Sequence, residues 1–287
     1  MKKKILRPLV ATMAIGLCSS AFASTITNLD LVAATPFNGF DWSGNGTVVS
    51  TPGPAYKNGD AVTSYYFADA KTLDKVGGGS FITPNMILGA PGGGAFAAGK
   101  YEYTVVATLS EIISCGVGPI GTPCGALPGF FTAIGGTWDV YYDYAGNAFG
   151  DTIANQITGT GFTDGTKVLS GLVDPGFAGV FVPTSATSGT GSFSFEGPVT
   201  YTNSTYISPD QWRTNATSTL QRGTFTTNWT APTGTPFGAL PPSNITFQAD
   251  AQQALQVMPV PEPTSVALFG IALLGVFARS TRRKQLS

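Results

Sequence analysis

Catalytic chemistry in this 287-residue chain has few groups to draw on, because the sequence contains no histidine. Without imidazole there is no Ser-His-Asp or Cys-His pair, and the commonest general base and metal ligand is missing. Carboxylates remain. A glycosidase needs two of them about 5 to 9.5 Å apart, whereas Asp139 and Asp143 would stand roughly 13 Å apart along an extended strand at about 3.3 Å per residue. They read as a solvent face, with a cross-strand pair such as Asp139 and Glu102 left open. Asp143, Asn147 and Asp151 crowd a glycine-containing loop whose oxygens could hold Ca2+. Their spacing is not that of an EF-hand, and a polar hairpin accounts for them. No metal, no cofactor and no enzymatic activity are expected.

Two other residue types carry chemistry. Trp42, Tyr65, Tyr66, Tyr141, Trp212 and Trp229 sit among polar neighbours, and an aromatic ring with a polar edge suits a pyranose face; most are nonetheless expected in the core. Tyr141 shares a face with Asp139 and Asp143 and is the best exposed candidate for a glycan contact. Cys115 and Cys124 enclose a Gly- and Pro-rich loop and are expected to form a disulfide in an oxidising compartment, worth roughly 2 to 3 kcal/mol for a loop of about ten residues. A reactive thiol is disfavoured because no histidine exists to activate it. Five Asn-x-Ser/Thr triplets, at Asn45, Asn203, Asn215, Asn228 and Asn244, are what chance gives in so Thr- and Asn-rich a chain.

The elements that must position these residues follow from composition. With 43% hydrophobic and only 11% charged residues, 37 Gly and 20 Pro, the chain is too apolar for disorder and too poor in Lys and Glu for surface helices. Period-two alternation recurs in Tyr101 to Leu109, where odd positions are apolar, and in Trp138 to Tyr144, where even positions are. Phe193 to Val199, Phe225 to Trp229 and Ile245 to Gln248 behave similarly. Asn45-Gly46, Gly146-Asn147 and Asp164-Gly165 supply turn chemistry, the last reading as the best hairpin. The stretches 77–80, 89–94 and 183–191 read as loops or weak boundaries. The expected fold is all-β: an antiparallel β-sandwich or jelly-roll body over residues 24–258, as one domain or two.

Charge separates that body from its two ends. Eight of the 15 cations lie at residues 2–7 and 279–284, so the seven between 24 and 262 face all 16 acids, a balance of about −9. Such a segment repels phosphate backbones, and nucleic acid is excluded as a partner. Residues 1–23 read as a signal peptide for export through the Sec pathway, helical over its apolar run, with cleavage between Ala23 and Ser24. Cys18 is discarded with it. Residues 259–287 hold Val-Pro-Glu-Pro at 260–263, an apolar run from Val266 to Ala278, and a basic end. The run reads as a short C-terminal transmembrane helix, stopped by Arg279, Arg282, Arg283 and Lys284, that tethers the chain transiently to the inner membrane.

This order of motif, apolar helix and Arg-rich end resembles the PEP-CTERM sorting signal. The resemblance implies that an exosortase recognises Pro261, Glu262 and Pro263, cuts nearby, and passes the protein to the cell surface or the extracellular polymer matrix. The body is similar to flocculation-associated PEP-CTERM proteins in Asp41 to Gly46, the strands at 101–109 and 138–144, Lys167 to Gly171, and the Gly-rich strand at 189–197. That likeness implies a non-catalytic role in flocs or biofilm through exopolysaccharide. A carbohydrate-binding module, with or without calcium, is the alternative, and a carboxylate-dependent glycan hydrolase a more distant one.

Overall fold

The computed structural model describes residues 37–51, 53, 56–75, 78–81, 101–116, 118–143, 157–185, 187–206, 211–223 and 229–257. The chain divides into two units, and all of these residues belong to the second, Ala23–Met258. Their elements are strands: β1 (Phe37–Trp42), β2 (Gly46–Thr51), β3 (Ala61–Lys75), β4 (Ser80–Phe81), β5 (Glu102–Ser114), β6 (Gly129–Asp143), β7 (Thr166–Leu172), β8 (Ala178–Pro183), β9 (Gly189–Thr202), β10 (Gln211–Arg222), β11 (Gly234–Thr235), β12 (Gly238–Ala239) and β13 (Ile245–Val257).

The alternating segments form one sheet that closes on itself. β1 and β2 lie end to end, and both pair antiparallel with β3 on one side and β13 on the other. β7 and β8 likewise fill one line between β6 and β9. Taking each such pair as one wall position, the order is β1/β2, β3, β5, β6, β7/β8, β9, β10, β13, and β13 returns to β1/β2. Every position is thus bonded to its neighbour in sequence, which defines an up-and-down antiparallel barrel.

The sandwich or jelly-roll expectation is corrected by this closure. Strands with one apolar face are satisfied equally by two stacked sheets or by one sheet rolled up. The choice is made by Gly46–Ser50 pairing with Ile245–Ala249, a contact between the two ends of the described chain that no local pattern encodes. The helical part of the expected fold is corrected too. Among the described residues no helix is long and apolar enough to cross a membrane. The signal helix at 1–23 and the helix at 266–278, with its basic stop, fall outside the described residues. A 13-residue run spans only about 20 Å as a helix, against roughly 30 Å of hydrocarbon. The transient inner-membrane anchor, both as a partner and as a stage of localisation, is therefore dropped.

Local turn readings also change. Asn45-Gly46 kinks one wall line between β1 and β2 instead of reversing the chain, and Asp164-Gly165 ends a long connection leading into β7. Trp229 lies outside any strand, residues 225–228 and 144–156 are not described, and within the stretch 183–191 a tight reversal joins β8 to β9, where Thr184 N–H donates to the Ser188 carbonyl at 2.9 Å.

Period-two alternation sets the two faces of the wall. Tyr103, Val105, Ala107 and Leu109 of β5 and Trp138, Val140 and Tyr142 of β6 point inward to a continuous core. One end of the barrel is filled by rings: Phe37, Phe40, Tyr101, Tyr103, Tyr142 and Tyr206 meet at centroid distances of 5.1 to 6.1 Å. The other end is closed by the bonded pair Cys115–Cys124, whose Cα atoms are 5.5 Å apart, and by Tyr56 edge-on to Phe131. Asn58 ties that cap down, its Nδ2 donating to the Gly118 carbonyl at 3.1 Å and its Oδ1 accepting from Cys115 N–H at 3.3 Å.

A second, smaller cluster lies outside the wall. Val49, Phe67 and Val106 face outward from β2, β3 and β5 and are covered by Phe162, with Tyr65, Tyr141 and Leu240 at the margin. Two long connections supply the cover. Phe162 precedes β7, while the crossing between β10 and β13 brings Phe237 onto Tyr65 and separately supplies Trp229, whose Nε1–H donates to Thr47 Oγ1 at 3.2 Å.

Candidate functional site

Two of the sequence patterns prove to be one structural unit. Trp138-Asp139 on β6 lies in register with Ser170-Gly171 on β7, and Tyr141 lies opposite Lys167. Asp139 accepts from Lys167 Nζ at 2.9 Å, from the Ser170 hydroxyl, and from the Tyr141 hydroxyl at 3.4 Å. Gly171 has no side chain because a Cβ there would fall 2.3 Å from the Trp138 ring. Lys167 also stands 5.6 Å over the Tyr141 ring, and its ammonium is held above the usual lysine range, first by the hydrogen bond to Asp139. Tyr141 is half-buried against the outer cluster with one ring face under a cation, which leaves little open ring for a sugar.

Most of the remaining expected aromatics whose side chains are described are buried or border a core. Trp42 and Tyr66 are inside the barrel, and Trp229 is buried beneath the outer crossing. Tyr65 borders the outer cluster, and the side chain of Trp212 is not described. The carboxylate pair that the wall brings together is Glu102 opposite Asp143, both buried, whereas Asp139 faces Val106. The Asp139–Glu102 pair left open by the sequence does not form, and Asp143, expected on a solvent face, is buried. Asn147 and Asp151 of the suggested calcium loop lie outside the described residues. Among those described, no three His, Cys, Asp or Glu side chains are grouped to hold a metal.

Inside the barrel, toward the disulfide end, three polar residues interrupt the apolar lining. Ser50 and Ser64 share a hydrogen bond of 2.8 Å, and Ser64 donates to Glu111 Oε2 at 2.5 Å. Burial pushes the Glu111 carboxyl up to about 7, against a smaller lowering by the Ser64 bond. Burial first, then the charge of Glu111, pushes the Tyr56 phenol far up. The cavity beside them measures about 60 Å³ and is lined by Trp42, Tyr66, Leu109, Phe131, Phe195 and Phe247 among others. At roughly 10 to 15 Å³ per water-sized occupant, it accommodates a few waters and excludes a sugar or an acyl chain.

Space for a large ligand lies on the outer wall. A groove of about 510 Å³ runs across β9, β10, β13 and β1. Two rows of polar side chains cross it in register. The first is Ser194, Thr217, Gln252 and Asp41; the second is Ser192, Thr219 and Asp250. Among the described residues, only Asp41 of these seven has a side-chain bond, accepted from Thr72 Oγ1 at 3.0 Å. The next row is used internally: Arg213 pairs with Asp174 at 2.6 Å and Glu196 at 3.5 Å, and Asn215 donates to Glu196 at 2.8 Å. The groove residues escaped the sequence reading because Ser and Thr on the polar face of a strand are ordinary. Their alternation at 192/194, 217/219 and 250/252 was visible, but their alignment across strands was not.

Comparison with known proteins bears on a different part of the chain. No curated protein and no solved structure matches it. Residues 259–284 match the family described as the PEP-CTERM protein-sorting motif, which includes Pro261, Glu262, Pro263 and the basic residues through Lys284. The matched segment lies outside the described residues, and it marks the chain as bearing a PEP-CTERM sorting signal near its C-terminus, consistent with an exported protein that an exosortase processes.

Proposed function

We propose that this is a non-catalytic protein of the cell surface or extracellular matrix, supporting floc or biofilm formation together with exopolysaccharide. The observation that carries the reading is the sorting motif at residues 259–284, which is consistent with an exported protein that an exosortase processes. The body suits such a destination. Its cap is held by a disulfide that an oxidising compartment preserves, and the outward positions of β9, β10 and β13 are mostly Ser, Thr, Asn, Gln and carboxylates, able to make many weak contacts whose sum is avidity. Cleavage at Ala23-Ser24 and recognition of Pro261, Glu262 and Pro263 belong to this proposal.

The test is settling of cells that lack the gene, rescued either with the full chain or with one stopped after Met258, with the protein quantified in cells, matrix and medium. Full-length rescue, with the shortened form lost to the medium, is the expected outcome. Normal settling without the gene rejects the role in aggregation.

A further inference from the structure

We propose that the outer groove across β9, β10, β13 and β1 binds a polysaccharide bearing protonated amino groups. The inference takes its class of ligand from the matrix role proposed above and assigns it a site and a charge. Ser192, Ser194, Thr217, Thr219, Gln252 and Asp250 make no side-chain hydrogen bond among the described residues, so their donors and acceptors are available to a ligand. Neighbouring strands are about 4.8 Å apart and alternate residues about 6.8 Å, which makes the two rows a regular lattice of hydroxyl, amide and carboxylate groups. A chain of pyranoses offers hydroxyls along both edges and matches such a lattice without inserting a side chain into a pocket. A folded protein partner would want buried aromatic or arginine anchors, and the groove supplies neither, Phe193 being turned to the core.

Charge selects among polysaccharides. Asp41 and Asp250 stand in the groove, with Asp74 close to Asp41. The carboxyl of Asp250 is held above the usual range by burial first and then by the negative charge of Asp41, and that of Asp74 by burial, with the Ser80 hydrogen bond opposing it and Asp41 adding a smaller rise. Lys71 is the cation that counters this at Asp250. Crowded carboxylates of this kind attract a positive ligand and repel uronate or phosphate polymers. With no three ligating side chains grouped for a metal among the described residues, an ammonium group on the ligand is the better complement.

The experiment uses purified full-length chain and four probes: a glucosamine hexamer, its N-acetylated counterpart, a cello-oligosaccharide and an oligogalacturonate. The glucosamine hexamer is expected to bind most tightly and to weaken as salt is raised. Asp250→Asn is expected to lower its affinity about three- to fivefold, the scale of one exposed charge pair. Thr217→Val with Thr219→Val is expected to lower it further, and Lys167→Ala on the opposite patch to leave it unchanged. Circular dichroism and the thermal midpoint verify that each variant is folded. Equal binding of the acetylated hexamer, no binding of the glucosamine hexamer, or a folded Asp250→Asn chain that binds normally each overturns the inference. Failure here with gene-dependent settling intact rejects this ligand and leaves the matrix role standing. Binding without any effect on settling does the reverse.

Discussion

At the scale of single residues, the chain is governed by side chains that fit one register only. Gly171 is the sharpest case, since a Cβ there meets three Trp138 ring atoms within 2.5 Å, and that ring is buried with its Nε1–H donating to the Leu172 carbonyl at 3.3 Å. Gly171→Ala is expected to cost about 2 to 3 kcal/mol, the upper range for overpacking, read as a lower thermal midpoint and a change in tryptophan emission. Glu111 sets a pH dependence. Its carboxyl is raised from 4.5 to about 7 in the folded chain by burial, so the folded state holds the proton more tightly than the unfolded one. Its contribution is therefore full below about pH 4.5 and is lost as pH rises toward 7, by up to about 3 kcal/mol. Thermal midpoints measured from pH 4 to 9 should show this fall in the parent chain and lack it in Glu111→Gln. Trp138-Asp139 and Lys167 to Gly171 were both legible as patterns. That they are two halves of one unit was not, because cross-strand register is absent from a linear reading. Glu111 lies two residues beyond the alternating run that ends at Leu109, and nothing in the linear sequence shows that it turns into the barrel to meet Ser64.

At the scale of elements, the loop at 115–124 was the most legible feature, because two cysteines around a Gly- and Pro-rich run admit few other structures. It also does more than staple itself. The bridge is buried in the main core, and its loop accepts the turn at 57–60 through Asn58 and through the Lys57–Pro123 pairing. Reduction, or Cys115→Ser with Cys124→Ser, is expected to destabilise the barrel by about 2.5 kcal/mol from chain entropy alone. Comparing denaturant midpoints with and without reductant measures it, and no change would show that the docked turn holds the cap unaided. The connections were misread for a related reason. Asp164-Gly165 and Asn45-Gly46 carry hairpin chemistry, yet one ends a long crossing and the other kinks a wall line. The crossings serve the outer face of the wall, where Phe162 fills space above Val49, Phe67 and Val106 and Trp229 bonds to Thr47. Tertiary burial, not local turn preference, decided both.

At the scale of the whole described body, alternation revealed that each strand has one apolar face, and it could not reveal how those faces meet. A sandwich and a closed barrel differ in a measurable way. A sandwich has edge strands whose amides face water, whereas here β13 is flanked by β10 on one side and by β1 and β2 on the other. The first and last strands of the described chain thereby become interior members of the sheet. Local opening at the seam would expose Val48, Ala249 and Phe247, all part of the main core, so it has no low-energy route separate from global unfolding. Native-state hydrogen exchange should accordingly give the amides of Gly46–Ser50 and Ile245–Ala249 opening free energies equal, within about 1 kcal/mol, to those of β5 and β6. Exchange of the seam several kcal/mol below the global value would mean that β2 and β13 behave as free edges and that the wall is not closed in solution. Closure also bears on the outer groove, since its first row, ending at Asp41 beside Gln252, exists only while β1 remains bonded to β13. Early exchange confined to that seam would predict loss of ligand binding at temperatures where the rest of the barrel is still folded.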